Sequence, residues 1–285
     1  MEKLNTKLLD QNHKPGLYIV ATPIGNILDI SFRAISILTK AEYIFAEDTR
    51  QSRKLLDWYE IKSTKLIACH EYNETHESIT SLIENQKIYA LVSDAGTPAI
   101  SDPGYKIVNW CLQHGIDVHP IPGASSFVTA LCASGMPSDH FAFFGFLPPK
   151  EFARKKFLKN LSNESGTMIF FESPKRLLKS LKNMLEILGD RHCCVCRELT
   201  KIFEEFLHGT ISEIIEHFSK NNPIGEFVIL ISGNKKIEIN EDTIWRELSE
   251  LLQKKSLKES VKEIADKYNL SKNTAYQKAL ELKNM

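Results

Sequence analysis

Short apolar runs alternate with amphipathic segments along the first half of the chain. Each run ends in Gly, Pro, Ser or a charged residue, which is typical of buried strands followed by turns. Between the runs, apolar residues such as Ile35 and Leu38 recur at helical spacing, with Ser31 or Asp29 as a candidate N-cap. This alternation predicts an α/β domain with a mostly parallel sheet. The predicted strands lie in GLYIVATPIGN, EYIFAEDTR, KLIACHE, IYALVSDAG and IDVHPIPGASS, and the predicted helices in SFRAISILTKA, ESITSLIENQ and GYKIVNWCLQHG.

A second set of strands and helices begins near residue 126. It opens with a helix in PGASSFVTALCASG. Further along, RLLKSLKNMLEILGD places five leucines at helical spacing and ends at Gly189, which predicts an amphipathic helix. Together these segments predict a second α/β domain over residues 126–233. Its strands are expected in HFAFFGFLP, GTMIFFESPKR, HCCVCRELT and EFVILISG.

The composition changes again after residue 233. NKKIEIN has the character of a linker, and the remaining residues are charged and helical in pattern. Ser256 and Glu259 form a capping-box pattern, and a second helix is predicted in KNTAYQKALEL. Two short helices around a tight turn favour a helix-turn-helix, although a helical hairpin that makes dimer contacts has the same pattern. The predicted organisation is an extension at 1–15, α/β domains at 16–125 and 126–233, and a helical domain at 234–285.

The overall composition is that of a globular protein without a global charge bias. Of 285 residues, 42% are hydrophobic and 25% are charged, and 36 Lys and Arg balance 36 Asp and Glu. Any nucleic-acid binding must therefore use a local basic patch. The first sixteen residues lack the apolar segment of a signal peptide, and no apolar run approaches the roughly 18 residues that span a bilayer. We expect a cytoplasmic protein with no membrane partner.

The six cysteines do not form a metal-binding pattern. Cys193, Cys194 and Cys196 fall on one predicted strand, where neighbouring side chains point to opposite faces. They also lack the paired C-x-x-C spacing of a zinc site. The expected state is therefore buried, reduced thiols with no metal.

Three loops follow predicted strands, and the edge where parallel strands end is where open α/β sheets bind ligands. The loops are ATPIGN, SDAGTPAISDPG and IPGASS. None carries the Gly-Lys-Ser/Thr of a P-loop or the G-x-G-x-x-G of a dinucleotide fold. Gly25, Gly96 and Gly123 would let the backbone approach a small ligand, and Asp94 suits an ammonium group or a ribose hydroxyl. The loops therefore favour a zwitterionic nucleoside over a pyrophosphate.

Several long motifs in chain order resemble one family. They are LYIVATPIGNILDIS, AEDTRQSRKLL, LVSDAGTPAISDPG, PIPGASS, FFESPKRL and CRELTKIFEEFLHGT. Over residues 16–233 the chain resembles the ribosomal RNA small subunit methyltransferase I family, within the tetrapyrrole-methylase-like superfamily, and its tail resembles that family's helix-turn-helix. The resemblance implies two α/β domains with a ligand cleft between them, and a homodimer. It also implies methyl transfer from S-adenosylmethionine to the ribose 2′-oxygen of a cytidine in the decoding region of 16S ribosomal RNA.

The resemblance also assigns roles to the loop residues. Asp94, Ala95 and Gly96, with Thr97 beside them, match the superfamily's cofactor loop, and Ser125 and Ser126 match its Thr/Ser pair. TPIGN departs from the Gly-x-Gly-Pro-Gly that is common in the first loop, and this departure favours the branch that acts on RNA. Pro23 and Gly25 match that first loop and complete the expected cofactor set.

A ribose hydroxyl is a poor nucleophile, so transfer needs close positioning and a group that removes the proton. Asp48 and Glu172 are the candidate bases, and the sequence does not choose between them. Basic residues near them are expected to bind RNA phosphates. These candidates are Arg50, Lys175, Arg176, Arg197 and Lys201, with Lys272 in the tail.

Two other functions stay open at this point. A methylase of a tetrapyrrole precursor would have no evident use for the lysine-bearing tail. A non-catalytic protein could instead use the tail to bind the ribosome, and would then show no cofactor-dependent transfer. For the leading function, the partner is small-subunit ribosomal RNA or the assembled 30S particle.

Overall fold

The computed structural model describes residues 12–62, 64–234, 241–268 and 270–283. The chain divides into two compact units, Met1–Gly233 and Asn234–Met285. Among the described residues, the first unit contains two five-stranded sheets, and the second contains three helices. Most of the predicted extension at 1–15, most of the predicted linker and the tight turn at residue 269 lie outside the described residues.

The first sheet is entirely parallel, as the alternating pattern predicts. Its strand order is β3-β2-β4-β1-β5. The central strand β4 is buried on both faces because helices cover both sides of the sheet. All five strands therefore end at one edge, which gathers the loops that follow them. The strands are β1 (Gly16–Val20), β2 (Tyr43–Ala46), β3 (Lys65–Ala68), β4 (Ile88–Val92) and β5 (Val118–Ile121).

Four helices pack around this sheet. Ser31 caps the first helix, since its side chain accepts a hydrogen bond from the Ala34 N–H. The helix predicted in ESITSLIENQ is much shorter than expected, because i→i+3 bonds at Leu82 and Ile83 turn the chain toward β4. The helix that follows β2 was not predicted. The helices are α1 (Phe32–Lys40), α2 (Thr49–Trp58), α3 (Glu77–Thr80) and α4 (Tyr105–Gln113).

The second sheet is mixed. β6 and β7 are parallel, and the remaining pairs are antiparallel in the order β6-β7-β10-β8-β9. The four predicted strands are present, and β9 is an additional edge strand. The strands are β6 (Phe141–Phe146), β7 (Thr167–Glu172), β8 (His192–Arg197), β9 (Glu205–Thr210) and β10 (Phe227–Ile231).

The helices of the second sheet pack on both of its faces. α5 (Ser126–Ala133) lies on the face that carries Ile169, Cys194 and Val228. The other three cover the opposite face through an extensive apolar cluster. Two of these were not predicted, although Thr210 and Glu213 form a complete capping box at the start of the last one. The three are α6 (Glu151–Asn160), α7 (Leu177–Leu188) and α8 (Ile211–Lys220).

The cysteines of β8 alternate between the two faces of the sheet, as predicted. Cys193 packs in the cluster beneath α7, whereas Cys194 and Cys196 lie on the opposite face with their sulfur atoms 3.8 Å apart. Burial raises the pKa of the Cys193 thiol above its ordinary value. Within the part of the chain that the structure describes, no cluster of His, Cys, Asp and Glu could hold a metal ion.

The second unit is a three-helix bundle around a small apolar core. Ile264 and Leu248 are fully buried in it, and Ala275 and Ala279 bring the last helix close. Ser256 and Glu259 form the predicted reciprocal cap, with Ser256 Oγ 2.7 Å from the Glu259 carboxylate. Tyr276 on the last helix is exposed. The helices are α9 (Glu241–Leu252), α10 (Leu257–Tyr268) and α11 (Lys272–Lys283).

Candidate active site

A cavity of about 380 Å³ lies between the two sheets of the first unit. Its volume is in the range, about 300–1,000 Å³, that holds drug-sized ligands. One wall comes from the loops at the carboxyl edge of the first sheet, and the other comes from β6, β7, β10 and the turns beside them. Residues that line it include Ile24, Glu47, Asp94–Thr97, Ile100, Asp102, Ser125–Phe127, Phe146, Phe171–Pro174, Leu199 and Gly225–Val228.

The loop after β4 forms much of the first wall and has an unusual backbone. Gly96 has a φ of +83°, and its N–H and C=O both bond to Thr22, at 3.0 and 2.8 Å. Ala99 and Ser101 also have positive φ, of 66° and 61°. Non-glycine residues in this region cost roughly 1–2 kcal/mol each. Strained backbone of this kind concentrates at ligand-binding sites and tight functional loops.

A second strained turn follows β8 and faces the first loop. Glu198 and Thr200 have positive φ, and the Thr200 hydroxyl accepts a hydrogen bond of 3.0 Å from the Asn26 N–H. Gly25 packs so tightly here that a Cβ would lie 2.6 Å from Lys201 Cγ. The contact joins the first loop of one sheet to a turn of the other, so it fixes the width of the cavity. Gly25 is needed for this close approach.

The predicted cofactor residues divide into two groups. Asp94, Ala95, Gly96 and Thr97 line the cavity together with Ser125 and Ser126. Pro23 and Gly25 do not line it, whereas Ile24 between them does. The first loop thus supplies an apolar side chain, and its Pro and Gly shape the turn that presents it.

The cavity lining is acidic. Five carboxylates border it, and none of the described residues that line it is Lys, Arg or His. Such a lining disfavours a phosphate and favours a ligand that carries positive charge, because opposite charges attract more strongly in a partly dehydrated site. A sulfonium with an ammonium group meets that requirement. The carboxylates are Glu47, Asp94, Asp102, Glu172 and Glu226.

Two of these carboxylates have raised proton affinity. Burial raises the pKa of Asp102 to about 6, and the nearby charges of Glu47 and Asp94 add to the shift. Burial also raises the pKa of Glu47, with Asp94 and Asp48 contributing. Three carboxylates in one partly buried corner cannot all ionise at low cost. This corner is therefore the part of the cavity suited to hold a proton.

The two carboxylates predicted as candidate bases have other local contacts. Asp48 caps α2, because its carboxylate accepts a hydrogen bond of 2.8 Å from the Arg50 N–H. The same carboxylate forms an ion pair of 2.7 Å with the Arg50 guanidinium. These bonds hold the pKa of Asp48 at about 2. The Glu172 side chain is fully buried and accepts bonds from the Ser180 hydroxyl, at 2.5 Å, and the Ser173 N–H, at 2.9 Å. The role of either carboxylate as base stays a prediction.

Comparison with known proteins identifies the family. The family model for Tetrapyrrole (Corrin/Porphyrin) Methylases matches residues 16–215. The chain is 45% identical over 277 residues to Ribosomal RNA small subunit methyltransferase I of Halalkalibacterium halodurans, covering 93% of this chain and 95% of that protein. The protein of the same name from Vibrio cholerae is 43% identical, over 95% of this chain and 96% of its own length. The one from Bacillus subtilis is 46% identical, over 81% of this chain and 80% of its own length. This chain belongs to the ribosomal RNA small subunit methyltransferase I family.

Solved structures confirm the fold class that this family shares with tetrapyrrole methylases. Uroporphyrin III C-methyltransferase from Thermus thermophilus superimposes with a TM-score of 0.53, at 18% identity, over 76% of this chain and 92% of its own. Cobalt precorrin-4 methyltransferase superimposes with a TM-score of 0.56, at 18% identity, over 76% of this chain and 94% of its own. A further Thermus structure, complexed with S-adenyl homocysteine, gives 0.52 at 18% identity, over 75% and 96%. At this identity the likeness establishes the two-domain α/β fold alone.

Most of the cations that the sequence analysis expects to bind RNA phosphates form ion pairs. Lys201 bridges Glu198 and Glu226 at 2.9 and 3.0 Å. Arg197 bonds to the Ile224 carbonyl and to Glu205, and Arg176 bonds to the Leu147 carbonyl and to Glu172. Arg50 pairs with Asp48 but leaves 86% of its side chain exposed. Lys175 is exposed beside the cavity, and Lys272 lies in the second unit, exposed at the start of α11.

Two cavity carboxylates were missed as leading site candidates. Glu47 is adjacent to the candidate base Asp48, and Asp102 lies in the loop SDAGTPAISDPG. Glu47 directly follows β2, which is the kind of position that identified Asp94 after β4, whereas Asp102 lies further along the loop after β4. The sequence did not reveal that β2 and β4 are neighbours, and this pairing brings the two side chains together.

Among the described residues, the structure contains no helix that is long and apolar enough to cross a bilayer.

Proposed function

We propose that this protein methylates the ribose 2′-oxygen of a cytidine in the decoding region of 16S ribosomal RNA, with S-adenosylmethionine as the methyl donor. The observation that carries the proposal is a cavity at the carboxyl edge of the first sheet that five carboxylates line and that, among the described residues, no Lys, Arg or His lines. It occurs in a chain whose relatives are named for methyl transfer to small-subunit ribosomal RNA. Those names favour RNA over a tetrapyrrole as the acceptor.

The residues of the cavity fit the donor. The backbone of Asp94–Thr97 approaches closely because Gly96 has no side chain, and Ser125 and Ser126 add hydroxyl groups. Ile24 and Phe127 offer apolar surface for a flat base, while the carboxylates face a sulfonium or an ammonium. The bound donor supplies an electrophilic methyl group. The protein supplies orientation, since holding the acceptor oxygen in line at about 3 Å accounts for a large share of the rate.

The acceptor RNA is expected to approach across the exposed cations. Arg50 and Lys175 are exposed beside the cavity, whereas Lys201 and Arg197 serve first to fix the turn after β8. We infer that Arg50 and Lys175 contact the RNA phosphates, and that Lys201 and Arg197 position the cavity wall after β8. Whether the substrate is naked RNA or an assembled 30S particle is decided by the assay below.

The second unit is proposed to bind RNA outside the active site. It has its own apolar core, and Lys272 lies at the exposed start of α11. The relative from Thermotoga maritima aligns over 221 residues at 45% identity, which is 99% of that protein but 77% of this chain. That aligned length is close to the length of the first unit, so we propose that the second unit adds affinity rather than chemistry.

Two further expectations accompany the proposed function. The family resemblance implies a homodimer, and sedimentation equilibrium across a hundredfold range of concentration tests it. A ribosomal RNA substrate implies a cytoplasmic location.

The deciding experiment transfers a tritiated methyl group from S-adenosylmethionine to 30S particles from cells that lack this gene. Naked 16S RNA is tested in parallel, and the labelled nucleotide is mapped. Label on the 2′-oxygen of a decoding-region cytidine is the expected result. Donor binding without label on either substrate would overturn the RNA assignment, and absence of donor binding would overturn the enzyme assignment.

A further inference from the structure

A second cavity adjoins the first at the carboxyl edge of the first sheet. It encloses about 780 Å³ and is formed by the segments after β2, β3 and β4. Two tyrosines at its rim are largely exposed, Tyr72 at 92% and Tyr105 at 71%. Exposed aromatic rings beside a cavity are the usual stacking platforms for unpaired RNA bases. The remaining lining residues are Glu47, His70, Glu71, Glu74, Ser101, Asp102, Pro103 and Lys106.

The two cavities share part of their walls. Glu47 and Asp102 line both of them. A donor in the first cavity and an acceptor nucleotide in the second would therefore meet at these two side chains. The donor loop at Asp94–Thr97 is continuous with Asp102, so the junction belongs to the same rigid loop.

Asp102 is the junction carboxylate that is best suited to take up a proton. It is partly buried, and its pKa is raised to about 6 by burial and by the nearby charges of Glu47 and Asp94. A base is most effective when its pKa lies near the working pH. The other charged groups that line the two cavities are Glu172 and Glu226 across the first, and His70, Glu71, Glu74 and Lys106 in the second.

Several other carboxylates at this edge have local partners. Asp48 is neutralised by the Arg50 guanidinium. Glu74 is buried and accepts bonds from the N–H groups of Gly104 and Lys106, both at 2.9 Å, so it holds the start of α4. The Glu172 side chain is enclosed by its own turn. Glu47 shares the junction, but the Asp94 N–H lies 3.5 Å from its carboxylate, and it faces Asp102 as a like charge.

We propose that the acceptor nucleotide enters the second cavity and that Asp102 accepts the proton of its 2′-hydroxyl, with Glu47 as a positioning residue. The inference rests on the proposed function. In the step, the 2′-oxygen forms a bond to the methyl carbon, and the electron pair of the breaking carbon–sulfur bond returns to sulfur. The sulfonium becomes a neutral thioether, and the hydroxyl proton ends on the Asp102 carboxylate.

The test compares single-turnover methyl transfer to 30S particles from pH 5 to 9 in the full-length protein and three variants. Asp102→Asn keeps the shape of the side chain but cannot accept the proton, so the rate should fall at least 100-fold, within the range expected for loss of a general base. Donor affinity, measured by calorimetry, should stay within about fivefold, that is about 1 kcal/mol. Asp57→Asn, an exposed carboxylate on α2, is the matched control and should leave the rate unchanged.

Glu47→Gln separates a catalytic role of Asp102 from a structural one. Removing the like charge should lower the pH midpoint of the rate while keeping the rate at pH 8 within tenfold. The carboxyl ¹³C resonance of Asp102, assigned with Asp102→Asn, should titrate near pH 6 without donor or RNA and should move down in Glu47→Gln. This titration needs no turnover, so it still tests the proposed protonation of Asp102 if Asp102→Asn fails to bind the donor.

The outcomes are distinct. No transfer by the unaltered protein would refute the proposed function and with it the role of Asp102. Transfer by the unaltered protein, with Asp102→Asn within threefold of it, would refute only the role of Asp102. A hundredfold loss confined to Glu47→Gln would exchange the two roles and overturn the proposal as stated.

Discussion

Replacing Gly96 with Val tests whether the loop after β4 holds the methyl donor. Gly96 has a φ of +83°, where a residue with a Cβ costs roughly 1–2 kcal/mol. The new Cβ would lie 3.3 Å from Ile24 Cγ2, and the two γ-methyl groups of Val would crowd the cavity further. We expect a stability loss of about 2 kcal/mol and a loss of donor affinity of at least tenfold, or about 1.4 kcal/mol.

Gly115→Val is the matched control. Gly115 follows α4 with a φ of +71°, and a Cβ added there would have no neighbouring atom within 4 Å. Val at this position would therefore have a similar backbone strain but no steric clash. Urea unfolding should show similar destabilisation in both variants, whereas calorimetry with S-adenosylhomocysteine should show weakened binding in Gly96→Val alone. Unchanged affinity in folded Gly96→Val would refute the assignment of this loop to the donor.

Three further perturbations test other parts of the structure. Glu74→Ala removes the buried carboxylate that caps α4 and should lower the free energy of unfolding by about 2–3 kcal/mol. The control Glu77→Ala changes an exposed carboxylate and should alter it little. Equal losses of the two variants in urea unfolding would show that Glu74 does not stabilise the start of α4. Because the pKa of Asp102 is raised to about 6, its charged form is disfavoured in the folded state, so stability should decline by about 2 kcal/mol as pH rises from 4 to 6 and then level off. Asp102→Asn should lack that decline in denaturation curves, and an unaltered pH profile would show that Asp102 titrates normally. Deleting residues 234–285 should leave donor affinity within twofold, since the cavity lies in the first unit, but should weaken 16S RNA binding in filter assays; unchanged RNA affinity would assign the helices another role.

The sheet edge could be predicted because parallel strands impose it. Short apolar runs alternating with helices require a parallel sheet, and all strand ends then share one edge. The three loops were therefore expected to meet, and the structure brings Ile24, Asp94–Thr97, Ser125 and Ser126 to one cavity. The acidic lining of the pocket agrees with the sequence-based expectation of a zwitterionic nucleoside over a pyrophosphate, since none of the loops carries the P-loop or dinucleotide-binding pattern.

The roles of individual carboxylates could not be predicted. Asp48 precedes α2 and serves as its N-cap, but the sequence pattern did not predict that helix. Glu172 is buried because Ser180, eight residues later, folds back over it on α7. The Glu172 contact does not appear in a linear pattern, because it depends on how α7 packs against β7. Tertiary packing therefore decides which carboxylate stays available for chemistry.

The distribution of strain points to the same corner of the molecule as the distribution of charge. Of the five non-glycine residues with positive φ in the described part of the chain, Ala99, Ser101, Glu198 and Thr200 belong to the two turns that face each other across the cavity. Their conformations and the crowded carboxylates both reduce stability, and a chain selected for stability alone would relieve them. The rest of the first unit, with its two fully packed sheets, offsets that cost. A fold of this kind holds the acidic corner in place before any ligand arrives, so binding need not supply the energy to organise it.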